Sequence, residues 1–279
     1  MARLLRDLDY LRVIQADNLA QIIESNQQTK LDVEQSAQSE MISYLKQRYI
    51  VDDIFTNTKS FDVSATYNGK QLVEWTADAF SETSTYSTGN LVTYNNYIYQ
   101  SIAGSVAHAF NELEWTKICL DKSLFWVKLP NNEYSNTIAY SIGDIVYYNN
   151  IQYTCLVATI GILPTNTQFW QQGTAYTISG VLPNDTTKWE QGDNRNQQIV
   201  MYLMDITLYH LHSRINPRNT PDLRKERYDG NIANQSGGAI GWLKRVASGD
   251  ITADLPQILP QQGMSIRYGS SIPKQSNTY

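Results

Sequence analysis

The stretch Tyr86-Ser-Thr-Gly89-Asn-Leu-Val92-Thr-Tyr94-Asn95-Asn96 returns 54 residues later as Tyr140-Ser-Ile-Gly143-Asp-Ile-Val146-Tyr-Tyr148-Asn149-Asn150. Each copy runs on to a tyrosine, Tyr99 or Tyr153, and then to a tryptophan, Trp115 or Trp170, with one residue gained on the way. A repeat of this period is a small folding unit copied within a larger chain. In each copy an Asn-Asn pair separates two β-rich runs, 91–94 and 97–99 in the first, 145–148 and 151–153 in the second. Asparagine tolerates positive φ, so the pattern predicts a tight hairpin in each copy and two small antiparallel β modules. Trp189, in Lys-Trp189-Glu-Gln-Gly, echoes Trp170-Gln-Gln-Gly and reads as the remnant of a third unit, with 175–193 as its hairpin or as a linker.

Helical periodicity flanks the repeats. Over 31–49 the residues Val33, Ala37, Met41, Tyr44, Leu45 and Tyr49 recur at three- and four-residue steps, which predicts one amphipathic helix. A shorter helix is expected before it, capped by Asp17 or Asn18, with Leu19, Ile22 and Ile23 on its apolar side. The period returns over 196–214 and stops at Asn216-Pro217, because the residue before a proline is pushed out of the helical region. Thr220-Pro221-Asp222 restarts it, with threonine as cap and proline in the first helical position, and Gly249 ends the last stretch.

The expected fold class is therefore α+β and multidomain. A helical domain of about four helices, 1–60 and 194–253, is interrupted by β modules at 61–122 and 123–193 and followed by an extended arm at 254–279. The arm is rich in Pro, Gly, Ser, Gln and Asn, a composition that buries no core of its own. Ile266, Arg267, Tyr268, Ile272 and Tyr279 are its candidate contacts to a neighbour.

With the repeats set aside, the flanks resemble the Mu-type branch of tailed-phage head-tail adaptors. The likeness rests on Met1-Ala-Arg-Leu-Leu, Glu40-Met-Ile-Ser-Tyr44-Leu45-Lys-Gln-Arg48-Tyr49 with Phe55, and Asp205-Ile-Thr-Leu208-Tyr209-His-Leu211-His-Ser-Arg214. Arg227-Tyr228-Asp229 and Ile240-Gly-Trp242-Leu243-Lys-Arg-Val246 complete it. The resemblance implies a helical domain that assembles into a ring of about twelve copies under a portal protein, the two complementary faces of each copy closing the circle. It also implies a virion neck location after assembly in the host cytoplasm, contacts to a tail or next neck-ring protein, and passage of DNA without specific binding. The chain departs from the family where Gly230 and Gly237-Gly238 interrupt the closing helix, and in the large insertion.

The second repeat, with Gly161, Pro164 and Trp170, resembles small chitin- and cellulose-binding modules, Trp75 and Trp126 standing where such modules carry an opening tryptophan. This likeness implies sugar stacking on exposed rings, and it makes Tyr99, Trp115, Tyr153 and Trp170 candidate contacts to a glycan, a tail fibre or another protein partner. It also supports the alternative function of a virion adhesin for host polysaccharide. From the residues alone, packing is the stronger reading, since a module of this size has almost no aliphatic core and needs its aromatics inside.

Composition sets outer limits. The 279-residue chain carries a formal charge of −5, which argues against a nucleic-acid clamp, and no apolar run nears the ~20 residues of a membrane span. Its opening bears charge too early for a signal peptide, so it is expected to remain in the cytoplasm that makes it, with Cys119 and Cys155 reduced. No catalytic, cofactor or metal-binding constellation is read from the sequence. His210 and His212, two apart on a helix, face different sides; Asp52-Asp53 reads as a solvated turn; Gly237-Gly238-Ala-Ile-Gly241 lacks phosphate-loop spacing.

Overall fold

In a computed structural model the protein is described over residues 3–23, 26–55, 58–104, 108–215, 220–230 and 237–258. The chain opens with helices α1 (Asp7–Tyr10), α2 (Ala16–Ile22), α3 (Gln27–Leu45) and α4 (Val51–Ile54), and closes with α5 (Gln197–Ile215), α6 (Asp222–Asp229) and α7 (Gly238–Ser248). Both sets share one core. Val33, Ala37, Met41 and Leu45 form a buried stripe along α3 and join Leu203, Leu208 and Leu211 of α5 and Leu243 and Val246 of α7. The helices at the two ends of the chain thus contribute to one hydrophobic core.

The helix boundaries differ from expectation in instructive ways. Asn26 caps α3, its side chain accepting from the amides of Gln28 (3.0 Å) and Thr29 (3.4 Å), so the helix starts and stops four residues early. Tyr49 lies beyond it, in an antiparallel bridge with Gln257. The cap of α2 is Gln15, which puts Asp17 two residues past the place assigned to it, and Pro221 stands at the cap position of α6, one residue before its assigned place; neither cap makes a side-chain hydrogen bond. Asp52-Asp53, expected in a solvated turn, fall within the helical turn Val51–Ile54. The closing helix is broken into α6 and α7, which end on Gly230 (φ 85°) and Gly249 (φ 90°).

Fourteen strands lie between the helical halves among the described residues. They are β1 (Lys59–Ser60), β2 (Thr66–Asn68), β3 (Leu72–Trp75), β4 (Leu91–Tyr94), β5 (Tyr97–Ser101), β6 (Trp115–Leu120) and β7 (Ser123–Val127). There follow β8 (Ala139–Tyr140), β9 (Ile145–Tyr148), β10 (Ile151–Cys155), β11 (Thr159–Ile160), β12 (Trp170–Ala175), β13 (Thr177–Ser179) and β14 (Trp189–Gln191). The first repeat is the sheet β4-β5-β6 and the second the sheet β12-β10-β9, with β8 paired to β11. Both Asn-Asn hairpins form as expected, with Asn95, Asn96, Asn149 and Asn150 all at positive φ.

The third unit is complete rather than a remnant. Its sheet, β1-β3-β7-β14, and its pair β2-β13 are assembled from 59–77, 122–130 and 176–192. Strand β3 pairs β7 as β9 pairs β10; β7 pairs β14 as β10 pairs β12; β2 pairs β13 as β8 pairs β11. Its tryptophan Trp189 stands opposite Val127, as Trp170 stands opposite Cys155 and Trp115 opposite Ser101. Where the repeats have an Asn-Asn tip, this unit carries the whole first repeat between Trp75 and Ser123; the second repeat is inserted between β7 and β13. The boundaries drawn at 61–122 and 123–193 accordingly give way to repeats at 78–121 and 131–175 set into a split unit. Trp75 and Trp126 belong to the split unit and not to the repeats, Trp75 buried against Phe125.

All three units are closed by the same aromatic triad. Phe61, Tyr67 and Trp189; Phe80, Tyr86 and Trp115; and Tyr134, Tyr140 and Trp170 each place two stacked rings 5.4–5.7 Å apart with the indole edge-on. In every unit the tyrosine hydroxyl accepts the amide of the residue five earlier, Asp62 (2.6 Å), Ser81 (2.8 Å) or Ser135 (2.8 Å). Such pairs add ~0.5–1.5 kcal/mol each beyond burial, which matters in units of about 45 residues, too small for an aliphatic core. The first repeat gains further support by burying Ile98 in the core of the split unit.

Candidate functional site

The four rings proposed as glycan or partner contacts are core residues. Tyr99, Trp115, Tyr153 and Trp170 are 7%, 4%, 5% and 1% exposed, because the sheet turns them toward the triads. Their faces are covered, so none offers a sugar-stacking platform, and this part of the expectation is corrected. Ile266, Arg267, Tyr268, Ile272 and Tyr279 lie outside the described residues.

The motif residues of the flanks meet at one joint. Glu40 of α3 binds His210 Nε2 of α5 through one oxygen (2.7 Å) and accepts from the Tyr228 hydroxyl of α6 through the other (2.8 Å). Tyr228 stacks on Tyr209 at 3.9 Å, and Arg227 reaches the buried Asp205 at 3.2 Å. The hydrogen bond from His210, joined by that from Tyr228, holds the Glu40 carboxyl below its ordinary range; burial raises that of Asp205. His212 instead contacts its own helix through the Leu208 carbonyl, so the two histidines do part as expected.

A second charged joint ties the helical body to the β units. The Arg195 guanidinium, with its side chain 1% exposed, donates to both Asp9 oxygens (2.7 and 3.0 Å), to Asp193 (2.7 Å) and to the Leu4 carbonyl (2.8 Å). Burial opposes its charge, but Asp193 and Asp9 outweigh burial and raise its pKa. Arg6 reaches across to Glu74 of β3 (2.7 Å).

Beside Arg195 opens a cleft of about 620 Å³. Its walls come from the β2–β3 turn, the Asn149-Asn150 hairpin with Glu133 and Tyr134, the approach to α5, and the segment Asp254–Gln257. The walls are tied to one another. Asn194 Nδ2 donates to the Lys70 carbonyl (2.9 Å), Asn196 Nδ2 to that of Asp254 (3.1 Å) and Asn150 Nδ2 to that of Tyr176 (3.3 Å). A Cβ at Gly69 would run into the Asn150 side-chain oxygen and Leu129 Cδ2, so a larger residue here would force those side-chain ends to shift. Sequence reasoning missed this cleft, because its amides are scattered over four segments and form no motif.

Cys119 and Cys155 are free thiols, and burial pushes Cys119 up to about 11 and raises Cys155. Among the described residues no group of three acidic, histidine or cysteine side chains is placed to hold a metal, and no helix is long and apolar enough to cross a membrane. No protein-family model matches this chain, and no curated protein matches it.

Proposed function

We propose that this protein is a structural adaptor of a tailed-phage neck, a ring-forming subunit seated between portal and tail whose β units face outward to hold a neighbouring protein. The observation that carries the reading is the Glu40–His210–Tyr228 joint with Asp205–Arg227 beside it. These residues are up to 188 positions apart, belong to the motifs that resemble the adaptor family, and make the helical halves one body despite the insertion. Ring closure needs complementary faces left open on the single chain. Leu8 (41% exposed), Met201 (43%) and Leu223 (59%) on α1, α5 and α6 supply uncovered apolar surface of this kind.

The test is immunogold labelling of purified virions, together with native mass spectrometry of the protein with portal rings. Label at the neck and a closed multiple of the subunit on the portal are expected. Label at a fibre or tail tip, or no association with portal, would overturn the adaptor reading.

A further inference from the structure

We propose that the far end of the second repeat is an interface between two copies of this chain, closed by antiparallel pairing of β12 with β12 of the other copy. It stands apart from the adaptor reading, because it concerns the free protein and needs neither portal nor tail. Ile138, Ile142, Ile145, Leu156, Val157 and Ile160 are all exposed, Ile142 at 73% and Ile160 at 61%. They sit at the end of the repeat away from the Asn149-Asn150 hairpin, which faces the helical body. Gly143 N bonds the Cys155 carbonyl (2.8 Å) and Ile160 stands opposite Ala139, so the loops that carry them are neighbours and the six form one patch. Exposed apolar patches of this kind mark interaction sites. The shared fold does not demand it, since the first repeat has Ser84 and Thr88 in the places of Ile138 and Ile142.

The repeat is also nearly without charge. Over 131–175 the charged residues are Glu133, paired with Lys70 at the opposite end, and Asp144, which accepts from the Ser141 amide (2.7 Å) in its own turn. A chain of formal charge −5 repels its own copy, and here that repulsion is least. Strand β12 is the last of its sheet, and 171–175 are exposed throughout. Leu156 N bonds the Phe169 carbonyl (2.8 Å), and Thr154 and Cys155 stand opposite Gln171 and Trp170, so Gln171 turns its backbone toward β10 and Gln172 turns its own outward. A bulge opposite Gln152 ends the regular edge just beyond. The matching edges of the other units are guarded. Strand β6 carries Lys117 and packs Ile118 and Cys119 on the core of the split unit, and β14 is three residues long with Glu190 at its centre. The cross-strand row Ile145, Thr154 and Gln171 runs from the patch to the open edge. A fitting partner offers an open strand bordered by uncharged apolar surface, and among the described residues this chain offers that combination at this same edge. A two-fold axis brings Gln172 opposite Gln172, where backbone bonds set the register and the patch supplies the area.

The experiment is sedimentation velocity of the full-length protein without portal, over about 1–200 µM. A monomer–dimer equilibrium is expected. Gln172→Pro removes an outward N–H and no bond within the sheet, and Ile142→Lys puts a cation into the patch of each copy; each should weaken dimerisation about tenfold or more. Both positions are exposed, so each variant should melt as the wild type does at low concentration. Thr88→Lys, the matching change in the first repeat, is expected to leave the dimer intact. Monomer throughout the range, a dimer that withstands either change, or equal loss in Thr88→Lys would overturn the proposal. So would loss of the dimer in a chain ending at Ile258, which would assign the contact to 259–279.

Discussion

Trp170 and Trp189 each fill a core and donate Nε1 to a carbonyl eight residues back, Ile162 (2.9 Å) and Val181 (3.1 Å), whereas Trp115 fills its core with Nε1 unpartnered among the described residues. A net hydrogen bond contributes ~1 kcal/mol. Replacement by phenylalanine should therefore cost about that much more at Trp170 or Trp189 than at Trp115, as read by urea unfolding; equal costs would show that the bond adds nothing. Gly143 makes a cleaner case. Its φ is +92° and nothing lies within 4 Å of where a Cβ would stand, so Gly143→Ala should lose ~1 kcal/mol through backbone conformation alone. The split unit already accommodates such a conformation at Lys70, which has φ +61° at the matching position.

The joints between helices and sheets allow sharper tests. Arg195→Met removes the close partner of the buried Asp9 and leaves it the Arg6 amide (2.8 Å) and the more distant Arg12 (3.9 Å), and a broken buried pair costs ~3–5 kcal/mol; Arg195→Met with Asp9→Leu should cost less than the single change, as measured by chemical denaturation. Glu40 has a folded pKa depressed below 4.5, so its contribution is present above the unfolded value and lost as pH falls through the folded one. Melting temperature should thus decline below about pH 4.5, and less steeply in Glu40→Gln. The hairpins, α3 and the Gly249 stop were legible because their signals are local, a period, an Asn-Asn tip or a C-terminal glycine. The split unit was not, although its signature is present. Gly180-Val-Leu-Pro183 with Trp189 repeats Gly161-Ile-Leu-Pro164 with Trp170, and Phe61 with Tyr67 repeats Phe80 with Tyr86, both at an offset of 19 and not 54. Tyr99 and Trp170 were candidate contacts only through the module resemblance, and they lie buried, since a ring at a given strand position reads alike whether it faces the core or the solvent.

The nested arrangement makes the first repeat removable. Lys122 N bonds the Trp75 carbonyl at 2.9 Å, so the ends of the insertion already meet. Replacing 76–122 by Asn-Gly should leave the other two units and the helical body folded, with one cooperative melt and an unchanged Glu40–His210 contact by NMR. Collapse of the whole chain would mean that Ile98, which the first repeat lends to the neighbouring core, is indispensable there. The adaptor reading makes its own demand, that a chain ending at Ile258 keep its melting temperature while losing attachment to portal rings in a pull-down. Nesting also dictates an order of birth on the ribosome. Tyr67 leaves the exit tunnel 122 residues before Trp189, roughly 6–25 s at ~5–20 residues per second, and must wait for it through the synthesis of both inserted copies. The inner units can close while the outer one is still half-made, so the molecule is finished from the inside outward. A stall within the second copy would strand Tyr67 and Trp75 in water, at the moment when the nascent chain most needs a chaperone.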